Sequence, residues 1–351
     1  MSVLTAAPMR EKDGLKYPFP ARPETGTTIE VAPGVHWIRM PIPFQLNHIN
    51  VWLVEDGEGF ALIDTGINTP ETKAAWEQVF ASLGGRAITR VIVTHLHPDH
   101  VGLAGWLCEK FTVPLYMTRT DYLLCRTLVM DTGKPAPPEG VGFYKAAGFP
   151  DEEIENYKKR FGFFGLAVGR LPQSYRRMQD GEALTIGGDR WRIVVGRGHA
   201  PEHACLWCPE RQLMISGDQI LPRISSNVSV FPTEPEGDPL QDWLDSCHAM
   251  SALIPDDTLV LPSHNEPFYG VTTRMRQLID EHERGLAALL DLCREPKRAV
   301  DVFPALFKAR ITSGNYGMAT GESLAHLNCL IARRRMTRTR DTDGVDWYAT
   351  V

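Results

Sequence analysis

Thr94-His95-Leu96-His97-Pro98-Asp99-His100 places four metal-ligating side chains, His95, His97, Asp99 and His100, within six residues. The run follows directly on Arg90-Val91-Ile92-Val93, a β-branched stretch that reads as a buried strand ending at Thr94. The cluster is therefore expected where a strand exits into a loop. Neutral imidazoles at 95 and 97 can face one divalent ion, while Asp99 and His100, on a turn shaped by Pro98, can reach a second. A polar turn merely rich in histidine is a poor alternative, because burying several imidazoles and a carboxylate without a shared cation is costly.

Working outward, four further motifs stand in order along the chain. Phe60-Ala61-Leu62-Ile63-Asp64-Thr65-Gly66 lies upstream. Downstream come Gly196-Arg197-Gly198-His199-Ala200-Pro201-Glu202-His203, then Met214-Ile215-Ser216-Gly217-Asp218, then Val260-Leu261-Pro262-Ser263-His264. With the first run, these resemble the HxHxDH signature, LIDTG strand and turn, GHTPGH turn, and aspartate- and histidine-terminated strands of the metallo-β-lactamase superfamily. The resemblance covers roughly residues 30 to 270. It implies an α/β fold, an αββα sandwich with metals at one edge of two facing sheets.

By position, the resemblance implies that His95, His97 and His199 hold one ion and that Asp99, His100 and His264 hold a second. Asp218 would bridge them, and Asp99 and Asp218 would be the catalytic carboxylates. Donors of N and O alone suit two Zn²⁺ ions and leave Fe or Mn open. Two ions that share a water lower its pKa toward neutrality, so the expected chemistry is hydrolysis by a metal-bridging hydroxide. His97 stands where a redox di-iron relative would carry a carboxylate, which lowers the oxidoreductase reading. Asp64 reads either as an Asp-Thr-Gly turn or as the acceptor that a metal-bound imidazole needs on its other nitrogen. His203 reads as a similar outer partner or as a loop residue packing under His199. His36, His48, His248, His282 and His326 have no ligand-like context.

A chain of 351 residues, 43% hydrophobic and 23% charged, can bury a large core and is expected to form more than one domain. Its net charge of −6 gives no general attraction for nucleic acid or anionic membrane. The stretch from Met1 to Pro23 has no continuous apolar segment, so neither a secretory signal nor a membrane span is expected and a cytoplasmic location is the default. Seven scattered cysteines suit reduced thiols. Cys205 and Cys208 form a CxxC, but Ala204-Cys205-Leu206-Trp207-Cys208 reads as an apolar strand, and core packing is the expected role.

The expected organisation is an N-terminal extension at 1–30, a catalytic domain at 31–270 and a C-terminal module at 271–351. Strands are expected at 34–39, 49–54, 60–63, 184–186, 191–195, 204–207, 213–216 and 258–261, and helices at 69–83, 103–110 and 240–253. The long gap between His100 and His199 places a helical lid insertion at 121–178, with a helix at 152–161. Its aromatics, Phe143, Tyr144, Phe149, Phe161, Phe163, Phe164 and Tyr175, could wall an apolar pocket, Phe163 and Phe164 facing substrate, or form the lid's own core or a dimer contact. The C-terminal module has helical patterns at 274–293, 300–309 and 321–334 and a hairpin at 336–339 and 346–350, which together are winged-helix-like. It holds 13 basic and 10 acidic residues, with Arg333, Arg334, Arg335, Arg338 and Arg340 near the hairpin. These arginines read as a solvated helix end more readily than as a nucleic-acid patch.

Within the superfamily, the aspartate at 218 argues against a true β-lactamase. The acidic chain, the aromatic lid and the lack of a β-CASP-type insertion favour a small acyl substrate, an ester, thioester or lactone, as in glyoxalase II-like enzymes. Arg223 could meet an anionic portion such as a carboxylate, glutathione or coenzyme A. The rival readings are a phosphodiesterase or single-strand endoribonuclease, and a binding module with a degenerate site, which seven filled ligand positions oppose. The expected partner is a small molecule, with no membrane, nucleic acid not expected, and a homodimer possible.

Overall fold

The computed structural model describes residues 9–43 and 46–351, so the first eight residues of the expected N-terminal extension lie outside the described residues. In the rest of that extension, β1 (Arg10–Lys12) and β2 (Leu15–Tyr17) pair across Asp13 and Gly14, both at positive φ. A seven-stranded sheet follows in sequence order: β3 (Thr28–Ala32), β4 (Val35–Pro41), β5 (His48–Asp56), β6 (Gly59–Ile63), β7 (Ile88–Ile92), β8 (Leu115–Met117) and β9 (Arg176–Arg177). Its strands are antiparallel up to β6 and parallel from β6 to β9. The second sheet, β10 (Ala183–Ile186), β11 (Asp189–Gly196), β12 (His203–Cys208), β13 (Leu213–Gly217) and β14 (Leu259–Pro262), is antiparallel except for the β13–β14 pair.

Successive strand side chains point to opposite faces, and this alternation sorts the apolar residues into three layers. Between the sheets, Trp37, Trp52, Ile63 and Ile92 meet Trp191, Leu206, Ile215 and Leu261. Outside the first sheet, Ile38, Val51 and Leu62 pack on α1 (Pro70–Ser82), α3 (Ala104–Phe111) and α4 (Arg119–Met130). Outside the second, Cys205, Met214 and Val260 pack on α8 (Pro239–Leu253), α9 (Val271–Leu292) and α11 (Tyr316–Ala332). The result is an αββα sandwich in which the C-terminal helices share an apolar layer with the second sheet. Cys205 faces the helices and Cys208 the inter-sheet layer, so the two thiols point apart and cannot share a disulfide or an ion. All seven cysteines are free and buried.

The insertion is helical: α4 leads to α5 (Pro138–Ala146), α6 (Asp151–Arg160) and the single turn α7 (Phe164–Ala167). Most of its aromatics make a core of their own. Tyr144 packs on Phe149 and Tyr157, both at 4.6 Å between ring centres, and Phe149 stands edge-on to Tyr316 of α11 at 4.9 Å. Arg160 donates to the Ser313 carbonyl at 2.7 Å. The insertion is thus fastened to the C-terminal segment.

The helix expected at 300–309 is instead a 3-10 turn, Ala299–Val302, followed by α10 (Phe303–Leu306). Pro304 lacks the N–H that a continuous helix needs and splits the segment. The hairpin forms as β15 (Met336–Arg340) and β16 (Asp346–Thr350), closed over Gly344 at positive φ. No helix among the described residues is long and apolar enough to cross a membrane.

Candidate metal centre

Two parallel strand pairs, β6 with β7 in the first sheet and β13 with β14 in the second, end at one edge of the sandwich, and each strand hands its next residues to the site. Asp64 follows β6, Thr94 and His95 follow β7, Asp218 follows β13 and His264 follows β14. The carboxyl ends of parallel strands form such crevices because the chain leaves the sheet there with unpaired side chains. The turn from β11 to β12 supplies His199, and His203 opens β12. His97 caps α2 (Pro98–Val101), a single turn that starts on Pro98, whose fixed φ suits the first helical position. That turn carries Asp99 and His100.

The imidazoles converge through defined nitrogens. His97 Nδ1 lies 2.9 Å from His95 Nε2 and 3.0 Å from His199 Nε2. The outer nitrogens explain why. His199 Nδ1 donates to the Asn227 carbonyl at 2.7 Å, and His264 Nδ1 to the His48 carbonyl at 2.9 Å. His100 Nδ1 meets Asp64 Oδ2 at 2.7 Å. Oxygens that can only accept hold the proton on Nδ1, so in the neutral ring the Nε2 lone pair points inward.

Asp218 joins two donor groups. Its Oδ2 lies 3.5 Å from His199 Nε2, and its Oδ1 lies 3.4 Å from Nε2 of both His100 and His264. Asp99 Oδ2 stands 3.3 Å from His264 Nε2 and 3.7 Å from His100 Nε2. His95 with His97 and His199, Asp99 with His100 and His264, and His95 with His100 and Asp218 each gather their ligand atoms within 4.8 Å. His100 Nε2 and Asp218 Oδ1 are buried without a hydrogen-bond partner, a costly state that a shared cation relieves. The donor set therefore fits two divalent ions.

Electrostatics separate the groups. Burial, then the neighbouring imidazoles, hold His95 well below the usual histidine range, and burial with His199 pushes His97 down to about 3. These rings are neutral and ready to donate lone pairs. Burial also opposes charge on His100 and His264, but the surrounding carboxylates outweigh it. Asp218, Asp64 and Asp99 hold His100 well above its ordinary value, and Asp218 and Asp99 raise His264 to about 10. The carboxylates Asp99 and Asp218 thus favour positive charge at this point, which is the charge that a cation would supply.

Asp64 adopts φ 60°, a left-handed conformation that Asp tolerates better than most residues. There its carboxylate accepts the Thr94 N–H at 2.8 Å and the Thr94 hydroxyl, besides meeting His100. His203, fully buried, accepts the Asp218 N–H on Nε2 at 3.0 Å and stacks on His95 at 4.5 Å between ring centres. Its ring orients the backbone of Asp218, and its Nε2 is already engaged.

Other supports carried no local signal in the sequence. Asp121 accepts N–H groups from Leu96 and Glu202, stapling the two histidine loops together, and burial lifts its pKa to about 7. Asn50 donates to the carbonyls of Pro262 and Asn265, both at 2.8 Å, and so fixes the His264 loop to β5. Asn227 and His48 act through their carbonyls, which no side-chain pattern reveals.

Phe164 is partly buried in the layer outside the first sheet, whereas Phe163 is 54% exposed. α7 packs against α2, the turn that carries Asp99 and His100, and Phe163 caps the start of α7. Arg223 meets Glu266 Oε2 at 2.6 Å and lies over the Tyr17 ring at 5.3 Å.

Residues 45–264 match the family described as the metallo-beta-lactamase superfamily, and 286–351 match the metallo-beta-lactamase-like C-terminal domain. The crystal structure of a beta-lactamase domain protein from Burkholderia ambifaria superposes with a TM-score of 0.88 and 40% identity, over 96% of this chain and 98% of that one. The probable metallo-hydrolase YqjP of Bacillus subtilis is 28% identical over 86% of this chain and 93% of its own length. An atrochrysone carboxyl ACP thioesterase of Aspergillus fumigatus is 22% identical over 79% of this chain and 71% of its own.

Proposed function

Because the chain belongs to the metallo-beta-lactamase superfamily, we propose that it is a metal-dependent hydrolase of small acyl substrates, an ester, a thioester or a lactone. His95, His97 and His199 would hold one ion and Asp99, His100 and His264 the other, with Asp218 between them and Zn²⁺ the expected metal. When bound, such a pair of ions supplies an ionised water near neutral pH and stabilisation for a developing oxyanion. The observation that carries this reading is Asp218, whose two oxygens face the two donor groups.

The chain's own residues do the positioning. Asp64 and Thr94 fix the ring of His100, the Asn227 and His48 carbonyls fix His199 and His264, and His203 holds the backbone N–H of Asp218. The bonds to His100, His199 and His264 each hold a ring lone pair toward the gap.

Two observations favour acyl over phosphodiester substrates. α7 packs on α2 and on α4, and Leu123 of α4, Phe163 at the cap of α7 and Leu166 within it are each more than half exposed, apolar surface that suits an acyl chain. The thioesterase relative adds support. Three of the five arginines near the hairpin are held in ion pairs, Arg333 with Glu283, Arg338 with Glu236 and Arg340 with Asp346, which lowers the positive charge available to a phosphate backbone.

Measuring kcat/KM for metal-loaded protein on a thioester, a lactone, a phosphodiester, a β-lactam and single-stranded RNA tests the proposal. An acyl substrate should lead the panel. RNA cleavage faster than every acyl reaction, and lost on neutralising Arg334 and Arg335, would overturn it.

A further inference from the structure

Four arginines from separate chain segments, Arg10, Arg22, Arg39 and Arg223, gather near Glu266, two residues beyond His264. Arg10 lies 3.5 Å, Arg22 2.9 Å and Arg223 2.6 Å from its carboxylate, which is 5% exposed. One guanidinium balances the single charge of a buried carboxylate, yet Arg10 and Arg22 both approach Glu266 Oε1 and Arg223 approaches Oε2. The additional cations are therefore not explained by neutralising Glu266.

Arg39 shows the surplus most plainly. It makes no ion pair among the described residues, and its Nε is buried without a hydrogen-bond partner. Residues 1–8, Phe44 and Gln45 carry no carboxylate, and Glu24, which lines a cavity with Arg39, makes no ion pair with it among the described residues. Burial and the neighbouring Arg22 press its pKa below the usual arginine range, with Glu266 and the exposed Glu24 pulling the other way. Four guanidinium charges thus face two carboxylates.

The surplus is placed beside the candidate centre. Arg39 sits opposite Asn50 in the β4–β5 register, and Asn50 grips the loop of His264 and Asn265. It also lines a cavity of about 170 Å³ with Pro23, Glu24, Asn47 and His48. The His48 carbonyl holds His264, so this cavity is one residue removed from a proposed metal ligand. Arg22, with a side chain 50% exposed, keeps unused N–H groups toward solvent.

We infer that Arg39 and Arg22, backed by Arg223, form an anchoring site for an oxyanion, a carboxylate or a phosphate, carried by the substrate away from the bond that is hydrolysed. The substrate of the acyl hydrolase proposed above is then an anionic acyl compound. The kind of substrate rests on that proposal, whereas the presence of the site does not.

Two measurements keep the claims apart. In the first, inorganic phosphate and glutarate are titrated calorimetrically into metal-loaded wild type, Arg39→Gln and Arg22→Gln. Each substitution removes charge-assisted hydrogen bonds and should weaken one of these anions by about tenfold or more, with wild-type affinity falling as salt rises. Which anion responds identifies carboxylate or phosphate as the group read. Equal binding by wild type and both variants would overturn the site, because the anions would then lie at the metals alone.

In the second, kcat/KM is compared for matched aryl esters that end in a methyl, a carboxylate or a phosphate group. Wild type should favour one anionic ester over the methyl ester by about tenfold, through KM, and Arg39→Gln should bring that ratio toward one. A ratio near one in wild type would overturn the anchoring role. If no ester is hydrolysed, the acyl proposal fails while the titration still decides the site.

Discussion

Asp64 compresses the chemistry of the centre into one side chain. It occupies φ 60°, accepts from Thr94, and meets His100 Nδ1 at 2.7 Å, so a strained backbone places one carboxylate where it sets the tautomer of a candidate ligand. Asp64→Asn keeps the backbone preference and one acceptor but removes the charge. Metal affinity and turnover should both fall, by about 10- to 100-fold as outer-partner losses commonly do, with circular dichroism unchanged. Wild-type metal affinity in that variant would show His100 to be oriented by something else. Gly217 is a second such point. At φ 54°, a Cβ there would meet the His203 ring at 2.5 Å, and His203 holds the Asp218 N–H. Gly217→Ala should therefore cost about 1–3 kcal/mol in urea unfolding and loosen metal retention, since ring and carboxylate must shift together. Unchanged stability would mean that the ring moves freely.

At the scale of elements, the centre is tied to the C-terminal helix. Glu322 of α11 accepts from the Asn227 side chain at 2.7 Å, and the Asn227 carbonyl holds His199. Burial raises Glu322 to about 7, against an ordinary value of 4.5. Between these pH values the folded chain binds more protons than the unfolded chain, so this group makes stability fall as pH rises from about 4.5 to 7. Glu322→Gln removes the ionisation. Its stability relative to wild type should improve across that window, by on the order of 2 kcal/mol at pH 8, read from urea unfolding at several pH values. A constant difference from pH 4 to 8 would place the Glu322 carboxyl in water.

Whole-molecule organisation explains what could and could not be read from the sequence. The motif ending at Thr94-His95, like those ending at Asp218 and His264, carries its own strand and turn, so each announced itself within a few residues. The αββα sandwich was implied by the family resemblance that their order carries, and β12 read as an apolar strand, which its complete burial matches. Asp121 gave no such signal, because its partners Leu96 and Glu202 become neighbours only when the sandwich closes. The arginine cluster is hidden for the same reason, assembled from residues 10, 22, 39 and 223. In the insertion, aromatic content was visible but its direction was not: Tyr144 and Phe149 turn toward one another and toward Tyr316. Within 300–309, Pro304 lacks the N–H that one continuous helix needs, and α10 starts beside it.

Two donor groups joined by Asp218 are the premise on which hydrolysis rests, and elemental analysis of purified wild type and His264→Ala tests it most directly. His264 belongs to one group only, whereas Asp218 touches both. Wild type should hold close to two transition-metal ions per chain, mainly zinc, and His264→Ala close to one, with turnover lost in step. One ion per wild-type chain with full activity, or two ions retained without His264, would contradict the dinuclear centre.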